Sequence, residues 1–273
     1  MRKLAMTLVL LLSAVSATGA PAADYSVSVQ KAEAYQPVSW APTFSVVGTV
    51  STTWTDNALF SRDNRQSDWY FEPDVSVRMD GRLTQDLSYR LYARTEIEKF
   101  FRVREADGTF ALWGARLTQN VAGWGLSAIY ENRYQFAGIY EERLFTANDI
   151  KVAASRTFTF GNIIIAPFAQ GRYRFADLPE AEYWRLDLAL GIEAPLTDRW
   201  AIVSEPFFEA YWFTGGANSG RADQIVSGSI GLKYSFAPNI SLVTMVAYEE
   251  RFSNVAIRRY RSWDIGPKLN FAF

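Results

Sequence analysis

The chain has 273 residues, 49% of them hydrophobic and 15% aromatic, with a formal net charge of −1 and neither cysteine nor histidine. The lack of cysteine excludes a disulfide framework, and the lack of a basic excess argues against a nucleic-acid partner. A Ser–His arrangement, a cysteine nucleophile and a histidine-containing zinc site are also excluded. We therefore predict a protein that is not an enzyme and has no catalytic, metal-binding or cofactor-binding residues.

The first 22 residues have the layout of a secretory signal peptide. Arg2 and Lys3 precede an apolar stretch over residues 8–15, and small residues then lead to a cleavage position before Ala23 or Asp24. We predict that residues 23–41 form a periplasmic N-terminal segment, with a plug of the barrel lumen as the alternative, and that residues 42–273 form one domain.

Residues 42–273 alternate between apolar and polar positions with a period of two, which predicts β-strands. After the signal peptide, no run approaches the roughly 18 apolar residues that a helical membrane span needs. Twelve strands are predicted, at residues 43–55, 69–79, 87–101, 110–118, 124–136, 147–160, 163–175, 183–196, 200–213, 224–236, 240–252 and 260–273.

The predicted connections alternate in length. Short turns rich in Gly, Asn, Asp and Pro fall at 81–86, 119–123, 161–162, 197–199 and 237–239, and longer polar connections fall at 56–68, 102–109, 137–146, 176–182, 214–223 and 253–259. This alternation is typical of outer-membrane barrels, whose short turns face the periplasm, and is not expected of a soluble β-sandwich. The predicted fold is all-β, a single antiparallel up-and-down transmembrane β-barrel of about 12 strands.

The last strand defines two faces. Trp263, Ile265, Pro267, Leu269, Phe271 and Phe273 share one parity, and Ser262, Asp264, Gly266, Lys268, Asn270 and Ala272 share the other. An Arg or Lys on the lipid face costs about 2–4 kcal/mol at the bilayer midplane, so charged residues are expected to point inward. Arg156 breaks this parity and is predicted to lie near the membrane interface.

Applied to the other strands, the same parity identifies residues that line the lumen. Their charges are mixed, so we predict no strong ion selectivity. The sequence leaves open the alternative that arginines line one wall and face acidic residues on the other. The predicted lumen-lining residues are Arg78, Arg90, Arg94, Glu96, Glu98, Arg116, Glu131, Arg133, Arg172, Arg174, Arg185, Asp187, Glu193, Lys233, Asp264 and Lys268.

Aromatic residues near the strand ends predict two girdles at the membrane interfaces. They are Trp54, Trp69, Tyr70, Phe100, Phe101, Trp124, Trp184, Trp200, Trp212, Tyr248 and Trp263.

The signal peptide, the alternating loops and the terminal Leu269-Asn270-Phe271-Ala272-Phe273 together resemble a Gram-negative outer-membrane β-barrel protein. The resemblance implies a location in the outer membrane, contact with its lipid, and recognition of Leu269, Phe271 and Phe273 by the barrel-assembly machinery. More locally, the segments 55–60 (TDNALF) and 66–68 (QSD) resemble the first hairpin of the β-barrel porins, some of which are associated with exopolysaccharide systems.

Two functions remain open from the sequence. One is a narrow porin-like channel for small hydrophilic solutes, and the other is a non-conducting structural or accessory barrel, linked to envelope polysaccharide export. We expect no long loop that folds inward, which favours conduction. Twelve strands give a backbone diameter of only roughly 24 Å, and this size together with bulky arginines favours occlusion. The channel is the preferred interpretation, and the oligomeric state stays undetermined.

Overall fold

A computed structural model describes residues 40–273, so the predicted signal peptide and almost all of the predicted 23–41 segment lie outside the described residues. Short 3₁₀ turns occupy four of the connections, and none of the helices in this part of the chain is long and apolar enough to cross a bilayer. The strands are β1 Thr43–Thr55, β2 Asp68–Arg82, β3 Leu87–Phe100, β4 Gly108–Val121, β5 Trp124–Ala137, β6 Glu142–Ser155, β7 Phe158–Phe160, β8 Ile163–Ala176, β9 Tyr183–Pro195, β10 Trp200–Phe213, β11 Ala222–Ala237, β12 Ile240–Ser253 and β13 Tyr260–Ala272.

The strands form one closed antiparallel ring. Each long strand pairs with its neighbours in the chain, β6 pairs with β8, and β1 pairs with β13 to complete a twelve-strand circuit in which β7 is an extra short strand. Backbone bonds of 2.7 and 2.8 Å between Val46 and Phe273 extend the β1–β13 seam. Closure gives each of the twelve long strands a partner on both sides, as lipid requires. The predicted all-β twelve-strand barrel is confirmed.

The sixth predicted strand differs from the observed one. It was expected at 147–160, but β6 begins at Glu142, and Arg156 and Thr157 separate it from β7. The connection before it, predicted to be long at 137–146, is reduced to residues 138–141. Gly138 and Tyr140 adopt positive φ angles of 60° and 58°, which allow this tight reversal, and a bulge at Gln135/Phe136 carries the pairing up to it.

The strand register determines which residues of each strand face the lumen and which face outward, because directly opposed residues of antiparallel strands point to the same face. In β9, Tyr183, Arg185 and Asp187 are buried, whereas Leu186 and Leu188 are 36% and 43% exposed on the outer face. The last strand has the same pattern, with its apolar parity outward: Trp263 is 49% exposed, Ile265 44%, Leu269 37% and Phe273 67%.

The predicted girdle aromatics divide between the two faces. Trp69, Trp184 and Trp212 lie on the outer face near the loop ends of their strands, with 45%, 54% and 48% exposure. Tyr70 and Phe100 were expected beside them but point inward, on the parity of the lumen charges. The reason is apolar packing inside the mouth, where their rings lie 5.1 Å apart and cluster with residues of the first connection.

The first connection, residues 56–67, folds inward over the loop-end mouth. Asn57 is fully buried, and its amide Nδ2 donates to the carbonyls of Ser61 at 2.9 Å and Arg261 at 2.8 Å. Ala58 packs in the cluster of Phe100, and Phe60 packs 5.1 Å from the ring of Tyr260. The expectation that no long loop folds inward is therefore wrong, because this segment packs against inward side chains of β3 and β13.

Leu188→Arg is expected to lower the free energy of unfolding by about 2–4 kcal/mol, because Leu188 lies on the outer face midway along β9. The matched variant Leu196→Arg, in the turn after β9 at the end of the lipid belt, is expected to cost about 0–1 kcal/mol. Urea unfolding from lipid vesicles measures both. Equal small losses would contradict a lipid-facing outer wall.

Asn57→Ala is expected to weaken the first connection by about 1–3 kcal/mol, because it removes the hydrogen bonds of a fully buried amide to the backbone of Ser61 and Arg261. Hydrogen exchange of residues 56–67 should accelerate, and mass spectrometry measures the rate. Asn64→Ala, in the exposed part of the same loop, serves as control. Unchanged protection in Asn57→Ala would show that the inward fold does not depend on this side chain.

Candidate functional site: the charged lumen

Both signs of charge occur all around the inner face, but their balance differs between two sectors. In the basic sector, β5 to β9, the inward cations slightly outnumber the carboxylates, and in the acidic sector, β10 through β13 and β1 to β3, carboxylates outnumber the cations. β5 and β12 lie opposite one another, six steps apart in either direction around the ring. The sixteen predicted lumen-lining residues all have inward parity, but the sectors depend on register around the ring, which the sequence left open. Their role in permeation stays a prediction.

Ion pairs organise the basic sector. Asp149 is fully buried and accepts bonds of 2.7 and 2.8 Å from Nε and Nη2 of Arg174, while Nη1 of Arg172 lies 3.8 Å away. Lys151 forms a 2.6 Å pair with Glu131 on the neighbouring strand. Burying two charges carries a large desolvation cost, so such a pair is favourable only when its hydrogen-bond geometry is good. On the neighbouring strands β9 and β10, Arg185 pairs with both Asp187 and Glu209.

Inward aromatic rings lie against these guanidinium groups. The Cζ of Arg133 lies 4.0 Å from the centre of the Phe110 ring, and Arg174 lies 4.9 Å from the Tyr183 ring. On β10, the Tyr211 hydroxyl also accepts a 2.8 Å bond from Arg185. In these cation–π contacts, the guanidinium groups lie against the faces of the inward rings. The stacked side chains occupy space in the loop half of the lumen.

Three apolar clusters add to this filling at the loop end. The first is the Ala58, Phe100 and Val103 cluster described above. The other two are Phe145, Ala147 and Ala181, and Tyr183, Tyr211 and Ile225.

The acidic sector is less evenly compensated. Arg94 donates to Asp74 at 2.8 Å and to Glu96 at 3.0 Å. On β12, Glu249 accepts a bond from the Tyr260 hydroxyl. Further inward carboxylates of this sector are Glu72, Glu98, Glu205 and Asp264.

At the turn end, some of the predicted residues form separate ion pairs and others lie elsewhere on the inner wall. Arg90 contacts Asp80 at 2.6 Å and Lys233 contacts Glu193 at 3.0 Å. Arg78, Arg116 and Lys268 have the inward parity of the same half.

Small side chains form a lane along β11 to β13. Ser227, Ser229 and Gly231 alternate down β11, and Ala247 of β12 is opposite Ser229. On β13, Asp264 is opposite Ala247, and Gly266 is opposite Met245. The lane lies within the acidic sector, since Glu205 is opposite Ser229. Ser227, Ser229 and Ala247 are partly exposed on the inner face, so the inner surface is accessible beside them.

Some inner residues were missed from the sequence. Asp149, Lys151 and Glu72 carry or border the ion-pair network but were not selected as lumen residues. The signal was present in their parity: Asp149 and Lys151 alternate with Ile150 and Val152, which are 53% and 63% exposed on the outer face.

Arg156, outside the parity of its strand, occupies the break between β6 and β7. Its Cζ lies 5.9 Å from the ring of Trp124 and 4.8 Å from that of Phe158, at the turn end of the barrel. This position agrees with the predicted interfacial placement.

The predicted assembly residues lie at the seam that closes the ring. Leu269 is opposite Val50 and Phe271 is opposite Gly48. The Phe271 ring packs so closely that a Cβ at Gly48 would lie 2.8 Å from it, which only glycine avoids. Leu269 and Phe273 are exposed on the outer face.

Comparisons with known proteins agree with this architecture. No family model and no curated protein matches the chain. An outer membrane channel from Pseudomonas putida F1 shares 10% identity over 88% of this chain and 98% of its own, with a TM-score of 0.53. The fold is that of an outer-membrane β-barrel.

Two further solved barrels align with lower scores. The β domain of the Bordetella autotransporter BrkA has 10% identity over 85% of this chain and all of its own, with a TM-score of 0.48. The translocator domain of the autotransporter NalP from Neisseria meningitidis has 7% identity over 92% and 98%, with a TM-score of 0.46.

Asp149→Asn is expected to lower the free energy of unfolding by about 3–5 kcal/mol, because it leaves the buried guanidinium groups of Arg172 and Arg174 without their carboxylate. The control is Asp63→Asn, which removes an exposed pair with Arg62 at 3.6 Å and should cost about 0–1 kcal/mol. Urea unfolding from vesicles measures both. A loss below 1 kcal/mol for Asp149→Asn would show that the basic sector is hydrated rather than packed.

Proposed function

We propose that the protein is an outer-membrane channel for small hydrophilic solutes rather than an enzyme. The observation that carries the proposal is the lane of small residues inside a closed ring with a charged inner face. Ser227, Ser229 and Ala247 leave room beside the carboxylates of Glu205 and Glu249, so a polar solute can exchange part of its hydration for wall contacts.

The proposed location follows from the two faces of the wall. Its outer face is apolar and carries tryptophans near the strand ends, as a bilayer requires, and its ring is closed. We propose export across the inner membrane by residues 1–22 and folding by the barrel-assembly machinery of a Gram-negative cell. The positions of Leu269, Phe271 and Phe273 at the closing seam support recognition of the last strand during that step.

A second candidate is a non-conducting accessory barrel, of the kind that could serve envelope polysaccharide export. The observation in its favour is the filled loop half, where residues 56–67 and three apolar clusters narrow the mouth. In that case the loops, rather than the lumen, would carry the function through contacts with partner proteins.

Planar-bilayer recordings of the purified protein test the channel. We expect discrete conductance steps for the wild type and at least a severalfold smaller conductance for Ala247→Trp, because the indole would fill the lane. Val246→Trp is the matched control, since Val246 is the adjacent residue on the outer face and is 38% exposed. Absence of conductance and of solute flux in the wild type would overturn the channel and support the accessory barrel.

A further inference from the structure

An arginine cluster lies on the inner face of β2, β3 and β4 in the turn half of the barrel. Arg90 of β3 is opposite Asp80 on β2 and opposite Arg116 on β4. Arg78 and Arg82 share the inner face of β2 with Asp80, since each is two residues away from it. Three adjacent strands therefore present four guanidinium groups around one carboxylate at this level of the wall.

The strands on either side of the cluster present uncharged residues to the lumen at the same level. Ser45 of β1 is opposite Arg78, and Ile129 of β5 is opposite Arg116. The adjacent inward residues of these two strands are Thr43, Val47, Gly125 and Ser127. The other carboxylates of β2 and β3 begin at Asp74 and lie toward the loop end. The turn half of this wall is thus basic, although the two strands belong to the acidic sector as a whole.

Arg116 is the member of the cluster for which the protein supplies no counterion. Its Nε is shielded from solvent and has no hydrogen-bond partner in residues 40–273. The carboxylates closest to it in register are engaged elsewhere, since Asp80 pairs with Arg90 at 2.6 Å and Glu131 pairs with Lys151 at 2.6 Å. Like charges directly opposite one another on neighbouring strands are destabilising, so an anion between Arg90 and Arg116 would be stabilising.

A fixed side chain bounds the cluster on its loop side. Tyr92, the next inward residue after Arg90, extends across Gly114, and its hydroxyl donates a 2.6 Å bond to Oε1 of Glu131. A Cβ at Gly114 would lie 2.7 Å from the Tyr92 ring, so only glycine permits this crossing. Arg90 and Arg116 lie on the turn side of the tyrosine and are partly exposed, so a solute at the turn-end mouth can reach them.

The chemistry of two opposed guanidinium groups selects an oxyanion. Each group presents its N–H donors in a rigid planar fork that matches the oxygens of a carboxylate or a phosphate. Directly opposed residues have Cβ atoms about 5 Å apart, so one anion can accept bonds from both side chains. A phosphate group carries about two negative charges at pH 7 and several acceptor oxygens, so it can offset both guanidinium charges and receive both forks. A single carboxylate carries only half of that charge.

We propose that Arg90 and Arg116, with Arg78 and Arg82 beside them, form a binding subsite for the phosphate group of small phosphorylated solutes at the turn-end mouth. The inference deepens the proposed channel function and rests on it for the passage of such solutes, since it names a class of solute that the inner wall retains. Binding at the subsite does not itself require conduction.

Isothermal titration of inorganic phosphate into the full-length protein in detergent, at constant ionic strength, tests the proposal. We expect saturable binding to the wild type and at least a tenfold weaker affinity in Arg116→Gln, which removes one of the two opposed forks. Arg199→Gln is the matched control and should bind phosphate as the wild type does. It removes the same charge at the turn end, but Arg199 lies in the exposed turn between β9 and β10.

Folding of each variant is checked by its band shift on heating in detergent gels. If Arg116→Gln does not fold, Arg116→Lys replaces it, with a loss of about threefold expected because an ammonium keeps the charge but lacks the planar fork. No binding to the wild type, equal binding to the wild type and the folded Arg116 variant, or equal weakening by Arg199→Gln would overturn the subsite. Tighter binding of succinate than of phosphate would overturn its assignment to phosphate. Phosphate binding without conductance would overturn the channel alone, whereas conductance without phosphate binding would overturn the subsite alone.

Discussion

The constraint on which this structure depends is that backbone N–H and C=O groups inside a bilayer must all find partners within the protein. Twelve long strands meet it only as a closed circuit, which the β1–β13 and β6–β8 pairings complete. Once the ring is closed, the parity of one strand determines the parity of every other, because opposed residues share a face. The apolar outer wall and the charged lumen are consequences of that closure.

Inside the ring, register decides which charges meet. The pairing of β6 with β8 places Asp149 beside Arg174, and the pairing of β2 with β3 places Glu72 across from Glu98. The first arrangement is a packed ion pair in the loop half of the barrel. The second brings two inward carboxylates together on another part of the wall.

The period-two pattern was sufficient to predict the barrel, twelve strands and the facing of residues such as Leu188 and Asp264. It was insufficient wherever a side chain's role depends on a distant strand. Tyr70 and Phe100 were assigned to the lipid interface because a strand-end aromatic looks alike on either face, and only packing against Ala58 distinguishes them. The inward fold of residues 56–67 depends on a bond from Asn57 to the backbone of Arg261, far along the chain, which no local pattern encodes.

Spin labelling along β9 tests the central claim, the two-faced closed wall, most directly. The chain has no cysteine, so single cysteines at positions 184–189 each carry a unique label. In vesicles, we predict high accessibility to oxygen dissolved in the lipid at Trp184, Leu186 and Leu188, and low accessibility at Arg185, Asp187 and Ala189. The absence of a period of two, or access of a water-soluble reagent to both faces, would contradict the account.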